Sequence, residues 1–233
     1  MKMWEMLQNF VFPSICCFCG ELTGYDRAVC PDCSRSVKPI SGITCAVCGM
    51  EQPFCRCTGT PSEYERCVAS FYYEDRPKQG ILLLKYGEAP YLARYLCAYM
   101  AKQVIARYHG VCIDMVAAVP MHRLKRRKRG YNQAEVLACA LAKRLRVTYR
   151  GKLLTQIRES RAQHLQHRRE RAQNVADIYR LANNPHIKGK TVLLVDDIVT
   201  TGATLRECAG VLKAGGAKAV YCVAFCVTKP INA

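Results

Sequence analysis

Continuous apolar runs alternate with helix-like patterns along the last three quarters of the chain. Runs at residues 67–73, 113–119, 191–195 and 219–227 lack polar alternation, which predicts strands buried on both faces. Apolar residues recur at helical spacing over 77–86, 91–108, 132–145 and 203–214. Strands separated by helices predict an α/β fold with a parallel sheet covered by helices. Gly215 and Gly216 are expected to end the last helix.

The first quarter of the chain has a different pattern, because its cysteines occur in close pairs. The stretch 58–62 has the composition of a linker, so we expect a small cysteine-rich domain at 1–60 and a larger α/β domain at 61–233. The later cysteines are single and lie in apolar runs, where we expect them to be buried. The pairs are Cys16 with Cys19, Cys30 with Cys33, Cys45 with Cys48, and Cys55 with Cys57.

Four such pairs indicate structural zinc, because two pairs supply the four thiolates of a tetrahedral site. Pairing neighbours in sequence gives one site from Cys16 to Cys33 and a second from Cys45 to Cys57. A cross-braced pairing and a single occupied site remain open. Cys17 is an alternative ligand to Cys16, and the short spacing between Cys55 and Cys57 makes the second site the irregular one.

Charge and cysteine content limit the expected binding partner and the expected cellular compartment. The chain has 35 Lys and Arg against 18 Asp and Glu, a net charge of +17, which favours a phosphate-bearing partner. No apolar run is long enough for a transmembrane segment, and the 16 cysteines then indicate a reducing, cytoplasmic compartment. The N-terminal stretch with Trp4, Leu7 and Val11 could make a peripheral membrane contact, although docking onto the neighbouring domain is the simpler expectation.

A phosphorylated ribose site is predicted where the strand 191–195 ends. Asp196 and Asp197 follow that strand, and paired carboxylates there can accept hydrogen bonds from the two hydroxyls of a ribose. A turn of small residues then opens a helix, whose N–H groups and threonine hydroxyls suit a monophosphate. The turn comprises Thr200, Thr201, Gly202, Ala203 and Thr204.

Two basic segments are candidates for further phosphate contacts. A basic loop follows the strand 113–119 and contains Arg126 and Arg129, with Gly130 as a turn and Asn132 as a helix cap. Cations there, together with Lys85 at the end of an earlier helix, would stabilise a pyrophosphate or the phosphates of DNA. The second segment, 158–175, contains Arg158 and Arg171 and is either a mobile lid or a solvated basic helix.

The segment 195–204 resembles the phosphoribosyl pyrophosphate (PRPP) motif of type I phosphoribosyltransferases. The resemblance implies that Asp196 and Asp197 hold the ribose hydroxyls and are the candidate catalytic residues. It also implies that residues 200–204 bind the 5-phosphate and that Mg²⁺ arrives with the pyrophosphate. Arg129 to Gln133, Arg158 and Arg171 extend the likeness to the ComF family, whose members begin with a cysteine-rich ribbon.

The ComF resemblance implies a competence protein that binds PRPP and single-stranded DNA during natural transformation, with a ComFA-like helicase as partner. An active phosphoribosyltransferase with an amine or nucleobase acceptor is the alternative, and a PRPP sensor without turnover is a third. No segment is typical of a base-recognition hood, so the sequence names no acceptor.

Overall fold

A five-stranded parallel sheet forms the centre of the protein. The computed structural model describes residues 14–24, 27–59, 63–87, 89–158, 178–183 and 186–230. The sheet order is β1-β7-β6-β2-β3, and a separate antiparallel pair is formed by β4 and β5. The strands are β1 (Arg66–Tyr72), β2 (Met115–Ala118), β3 (Thr148–Tyr149), β4 (Leu154–Gln156), β5 (Tyr179–Leu181), β6 (Thr191–Val199) and β7 (Ala219–Val227).

Helices pack on this sheet as the α/β prediction requires. They are α1 (Pro31–Ser36), α2 (Asp75–Tyr86), α3 (Ala93–Arg107), α4 (Arg123–Arg129), α5 (Gln133–Leu145) and α6 (Ala203–Ala214). Helices α3 and α5 pack against each other and on the sheet, while α6 contacts β5, β6 and β7. Strands β6 and β7 are almost wholly buried, which explains their continuous apolar sequences. The predicted parallel α/β fold is confirmed.

Two local predictions differ from the structure. Strand β6 continues through the acidic pair to Val199, because β7 still offers a pairing partner there after β2 has ended at Ala118. The predicted basic loop contains the helix α4. Its Arg, Lys and Leu residues are good helix formers, and Gly130 ends the helix with a φ of 83°.

The cysteine-rich segment lies along the free edge of the sheet. The Ile40 N–H donates to the Ser70 carbonyl at 2.9 Å, and the Cys67 N–H donates to the Ala46 carbonyl at 2.7 Å. Strand β1 is the outermost strand on this side, so these bonds use backbone groups that would otherwise form an exposed edge. The ribbon and the α/β domain are therefore joined through their backbones.

All sixteen cysteines lie among the described residues, and each is a free thiol. Five of the later cysteines are buried as predicted: Cys67, Cys97, Cys208, Cys222 and Cys226. The prediction is wrong for Cys112, which is exposed in the loop before β2, and for Cys139, which is half-buried on α5. Apolar neighbours in the sequence do not show whether a cysteine is fully buried or lies at the margin of the buried surface.

Three other predictions concern residues outside the described ranges. These are the boundary at residue 60, the N-terminal membrane or docking segment, and nearly all of the second basic segment including Arg171. Among the described helices, none has both the length and the apolar content needed to cross a bilayer.

Candidate functional site

The acidic pair lies where β6 extends beyond the end of the neighbouring strand β2. Val195 is the last residue of β6 that pairs with β2, while Asp196 and the residues after it pair only with β7. Each carboxylate is oriented by the next peptide group. Asp196 Oδ1 accepts from the Asp197 N–H, and Asp197 Oδ1 accepts from the Ile198 N–H, both at 2.8 Å. The pair is thus fixed close to the backbone beyond the end of β2.

The two carboxylates have different electrostatic environments. Asp197 Oδ2 lies 2.7 Å from Lys85 Nζ, and both side chains are only about one-sixth exposed, at 16% and 17%. Burial, followed by the charge of Asp197, raises the pKa of Asp196 well above its ordinary value, although Lys85 acts in the opposite direction. Asp197 therefore has a cationic partner, whereas Asp196 is the member for which a negative charge is costly.

A tight turn connects the acidic pair to α6. Gly202 has a φ of 72°, and a Cβ there would lie 3.4 Å from the Tyr64 hydroxyl. The position is the N-cap of α6 and has no side-chain cap bond, while Thr201 Oγ1 accepts from the Ala203 N–H at 3.3 Å. The first N–H groups of a helix attract anions. The predicted residues Thr200 to Thr204 are therefore brought together at a helix N-terminus.

The segment from Arg129 to Gln133 connects this edge of the sheet to two helices. Asn132 caps α5 by accepting from the Ala134 N–H, and its Nδ2 donates to the Val119 carbonyl at 2.9 Å. The Tyr131 hydroxyl donates to the Leu84 carbonyl of α2, next to Lys85. Arg129 donates to Gln133 Oε1 at 2.7 Å. Tyr131 therefore connects this segment to α2 beside Lys85, while Asn132 fixes the start of α5.

A cationic cleft of about 410 Å³ opens beside Lys85. It is lined by Lys85, Tyr86, Lys125, Lys128, Arg129 and Tyr131. Arg126, expected to contact phosphate, instead lies 2.9 Å from Glu135 and does not line the cleft. Arg158 is also absent from the lining. Sequence reasoning missed Tyr86, Lys125 and Lys128, although helical spacing in the basic run would have placed Lys125 and Lys128 on one face.

The paired cysteines form two compact thiol clusters. Within each cluster all sulfur atoms lie within 4.8 Å of one another. The Cys19–Cys30 and Cys48–Cys55 sulfur distances are both 3.7 Å. A zinc tetrahedron with bonds of about 2.3 Å has sulfur–sulfur edges of about 3.8 Å, so the geometry fits zinc. The clusters are Cys16, Cys19, Cys30 and Cys33, and Cys45, Cys48, Cys55 and Cys57, so pairs that neighbour in sequence come together.

Backbone donors favour thiolate at one cysteine of each cluster, whereas burial raises the pKa of other members such as Cys33 and Cys48. Burial raises the pKa of the Cys16 thiol, but N–H groups of Cys19, Cys30 and Phe18 outweigh it and lower that pKa to about 7. At Cys45, the N–H groups of Cys48 and Val47 likewise outweigh burial and lower the pKa to about 7. Thiolate is the form that binds metal.

Cys17 lies outside both clusters, although it was an alternative to Cys16. It is fully buried, and its burial raises the pKa of the thiol to about 12. These properties are those of a core residue.

Both halves of the ribbon contact elements of the candidate site. A Cβ at Gly80 of α2 would lie 2.7 Å from the Cys17 carbonyl, so the first cluster packs directly on the helix that presents Lys85. In the second half, the Val47 carbonyl accepts from the Tyr64 hydroxyl at 2.6 Å. That hydroxyl also lies next to Gly202 of the phosphate turn.

Two family models match the chain. The phosphoribosyl transferase domain matches residues 132–232, a range that includes β6, the acidic pair and the turn into α6. The double zinc ribbon domain matches residues 7–53. The second match includes the whole first thiol cluster and Cys45 and Cys48 of the second, and with the geometry of the clusters it supports structural zinc in the ribbon.

Several relatives align with this chain across both parts. The chain is 28% identical over 217 residues to the DNA utilization protein YhgH of Escherichia coli K12, covering 92% of this chain and 90% of that protein. It is 25% identical to Competence protein F of Haemophilus influenzae, covering 92% and 96%. Competence protein ComFC of Bacillus subtilis is 26% identical, with coverage of 77% and 75%. The chain is therefore similar to competence and DNA utilization proteins over most of its length, and in it a double zinc ribbon precedes a type I phosphoribosyltransferase domain.

Proposed function

We propose that the protein binds PRPP between the acidic pair near the end of β6 and the start of α6. Asp196 and Asp197 accept hydrogen bonds from the ribose hydroxyls, and the turn from Thr200 to Thr204 binds the 5-phosphate. The observation that carries the proposal is the pair of backbone-oriented carboxylates shortly before a helix N-terminus whose N-cap residue, Gly202, lies in the left-handed region. A carboxylate pair suits a diol, and the turn suits a monophosphate.

The pyrophosphate of PRPP would then lie toward Lys85 and Arg129, which line the adjoining cleft. Lys85 forms an ion pair with Asp197, so the acidic pair and the cationic cleft are electrostatically linked. Among the described residues, the groups that could hold a metal ion are the two thiol clusters. In this proposal Mg²⁺ arrives on the pyrophosphate, where it would neutralise charge on the phosphate oxygens.

The names of the relatives indicate the cellular process in which we propose that this PRPP site acts. Two of them are named competence proteins and one a DNA utilization protein, so we propose that this chain also acts in DNA uptake. A net charge of +17 supports binding of incoming single-stranded DNA through its phosphates. The ComFA-like helicase belongs to the same proposal, and copurification of the two proteins tests it.

Calorimetry with PRPP in Mg²⁺ buffer tests the ribose site. The wild type is expected to bind, and Asp196→Asn or Asp197→Asn is expected to weaken binding by at least about tenfold, equivalent to one lost charge-assisted hydrogen bond. Asp32→Asn, which removes an exposed carboxylate on α1, is the matched control and should bind like the wild type. Equal affinity in all four proteins would refute the site.

Turnover of PRPP is the second candidate function. Lys85 and Arg129 border the proposed pyrophosphate position, and cations there stabilise a leaving pyrophosphate. Release of pyrophosphate should be measured for the wild type and for Asp196→Ala/Asp197→Ala, with and without single-stranded DNA. Release that requires the acidic pair supports an enzyme. PRPP binding without release under any condition supports a sensor.

A further inference from the structure

The cationic cleft beside the ribose site has features that PRPP binding does not use. None of its six lining residues is acidic, and two of them, Tyr86 and Tyr131, are aromatic. Its volume of about 410 Å³ lies within the ordinary range of about 300–1,000 Å³ for small-ligand pockets. A pyrophosphate group has no apolar face, so it gives no reason for aromatic rings in this cleft.

Of the two aromatic residues in the lining, Tyr86 has the more exposed ring, so it is the one available to stack with a ligand. It is the last residue of α2 and is 69% exposed. The Arg129 guanidinium lies 5.3 Å from the ring centroid and covers one face. This arrangement orients the ring and leaves its second face open to solvent. An oriented, exposed ring beside cations is the arrangement with which proteins stack single-stranded bases.

Two lysines of α4 provide charge next to that ring. Lys125 and Lys128 are three residues apart, so they lie on the same face of the helix. Both are exposed, and neither has an ion-pair or hydrogen-bond partner among the described residues. Lys85 and Arg129 differ, because they are engaged with Asp197 and Gln133. The two α4 lysines are therefore available for phosphate groups of a ligand.

We propose that the cleft is a nucleotide subsite in which a nucleobase stacks on the open face of Tyr86 while Lys125 and Lys128 bind the adjacent phosphates. The inference rests on the proposed DNA-handling role and gives it a location next to the ribose site. The chemistry is that of one nucleotide unit, which either a free mononucleotide or a single strand provides.

Fluorescence anisotropy with a labelled thymidine oligonucleotide of about ten nucleotides, in low salt and without PRPP, tests the subsite. Tyr86→Ala is expected to weaken binding about tenfold or more, and Tyr86→Phe, which keeps the ring, should restore wild-type affinity. Lys125→Gln/Lys128→Gln should reduce the slope of log affinity against log salt by about 1.4, because about 0.7 is lost per single-strand phosphate contact.

Arg123→Gln/Arg127→Gln is the matched control, since it removes two positive charges from the same helix at positions that do not line the cleft. It should leave the salt slope closer to that of the wild type. An equal loss of slope in both double variants, or wild-type affinity in Tyr86→Ala, would overturn the subsite. So would equal binding of an acidic polypeptide such as polyglutamate.

Separate measurements distinguish this inference from the proposed PRPP site. Tyr86→Ala should retain wild-type PRPP affinity by calorimetry, whereas Asp196→Asn should lose PRPP affinity and still bind the oligonucleotide. Competition by thymidine monophosphate would identify a free nucleotide as a sufficient ligand. Competition by longer strands alone would identify single-stranded DNA. A wild-type protein that binds PRPP but no oligonucleotide or nucleotide overturns the subsite alone.

Discussion

The zinc ribbon and the α/β domain obtain their stability in different ways. The α/β domain buries continuous apolar strands such as β6 and β7, and the burial of their apolar surface favours its folding. In its described part, the ribbon contains a six-residue helix, a short 3-10 turn and two isolated bridges, together with two thiol clusters. Segments of this kind depend on metal for their folding energy.

The difference between the two regions does not make them independent. Phe18, between two ligands of the first cluster, packs edge-on against Phe71 and Tyr99 at centroid distances of 5.6 and 5.4 Å. Beside the second cluster, Phe54 packs edge-on against Tyr72 at 5.4 Å, but Phe54 is only half-buried whereas Phe18 is fully buried, and this cluster contains the exposed Cys57. We therefore expect zinc in the first cluster to support the core of the whole chain, and zinc in the second to support mainly its own half of the ribbon.

The largest expected effect is the loss of a ligand from the first cluster. Cys33→Ser should remove one zinc and leave the α/β domain unfolded or insoluble. A structural zinc contributes about 10–16 kcal/mol, which is comparable with a whole domain's stability of about 5–15 kcal/mol. Zinc content and thermal melting measure this, with Cys112→Ser as an exposed, non-cluster control. A soluble Cys33→Ser protein with a wild-type melting temperature would contradict the anchoring role of this cluster.

A smaller effect is expected in the second cluster. Cys57→Ser should lower the zinc content by one ion per chain but reduce the melting temperature by only about 4–8 °C, the equivalent of roughly 2 kcal/mol in a chain of this size. Zinc released to a chromogenic chelator during a slow titration should leave this cluster first. Equal losses of stability in Cys57→Ser and Cys33→Ser would remove the distinction between the two halves.

In the α/β domain, Asp196→Asn should stabilise the fold while it removes PRPP binding. The pKa of Asp196 is raised in the folded state, so its contribution is most favourable below the unfolded pKa near 3.8 and declines as pH rises toward the folded value. At neutral pH the neutral asparagine avoids this cost and still accepts from the Asp197 N–H. We expect a gain of about 0.5–2 kcal/mol, typical when a functional site is neutralised.

Melting curves at pH 5 and pH 8 measure this effect. The stabilisation by Asp196→Asn should be larger at pH 8, and the zinc content should not change. A variant that is less stable than the wild type at both pH values would show that the carboxylate supports the fold instead of straining it.

The smallest effect is expected at the contact between the second half of the ribbon and the phosphate turn. Tyr64→Phe removes the bond to the Val47 carbonyl and the hydroxyl beside Gly202. It should cost about 1 kcal/mol and weaken PRPP binding a few-fold, with both zinc ions retained. Tyr91→Phe, at a half-exposed ring on the margin of α3, is the control. Unchanged PRPP affinity in Tyr64→Phe would mean that the ribbon does not influence the turn.

Local patterns were sufficient for much of the fold and for part of the site. The predicted strand 219–227 and helix 203–214 match β7 and α6, because buried strands and glycine-ended helices leave clear signals in sequence. Asp196 and Asp197 were expected after the end of the strand 191–195, but β6 continues through them, and they lie beyond the end of the neighbouring β2 instead. The basic run was harder, because charge alone does not distinguish a loop from a solvated helix such as α4.

The sequence by itself determined the parallel sheet, the paired cysteines and the acidic pair before a glycine turn, because each of these is encoded by residues close together in the chain. Tertiary structure alone decided which cations reach the site. Arg126 pairs with Glu135, while Lys85 crosses from α2 to Asp197, and Tyr86 meets Arg129. It also decided that the ribbon lies along β1 and touches the phosphate turn. Such contacts join segments distant in sequence, and their geometry depends on how the helices pack on the sheet.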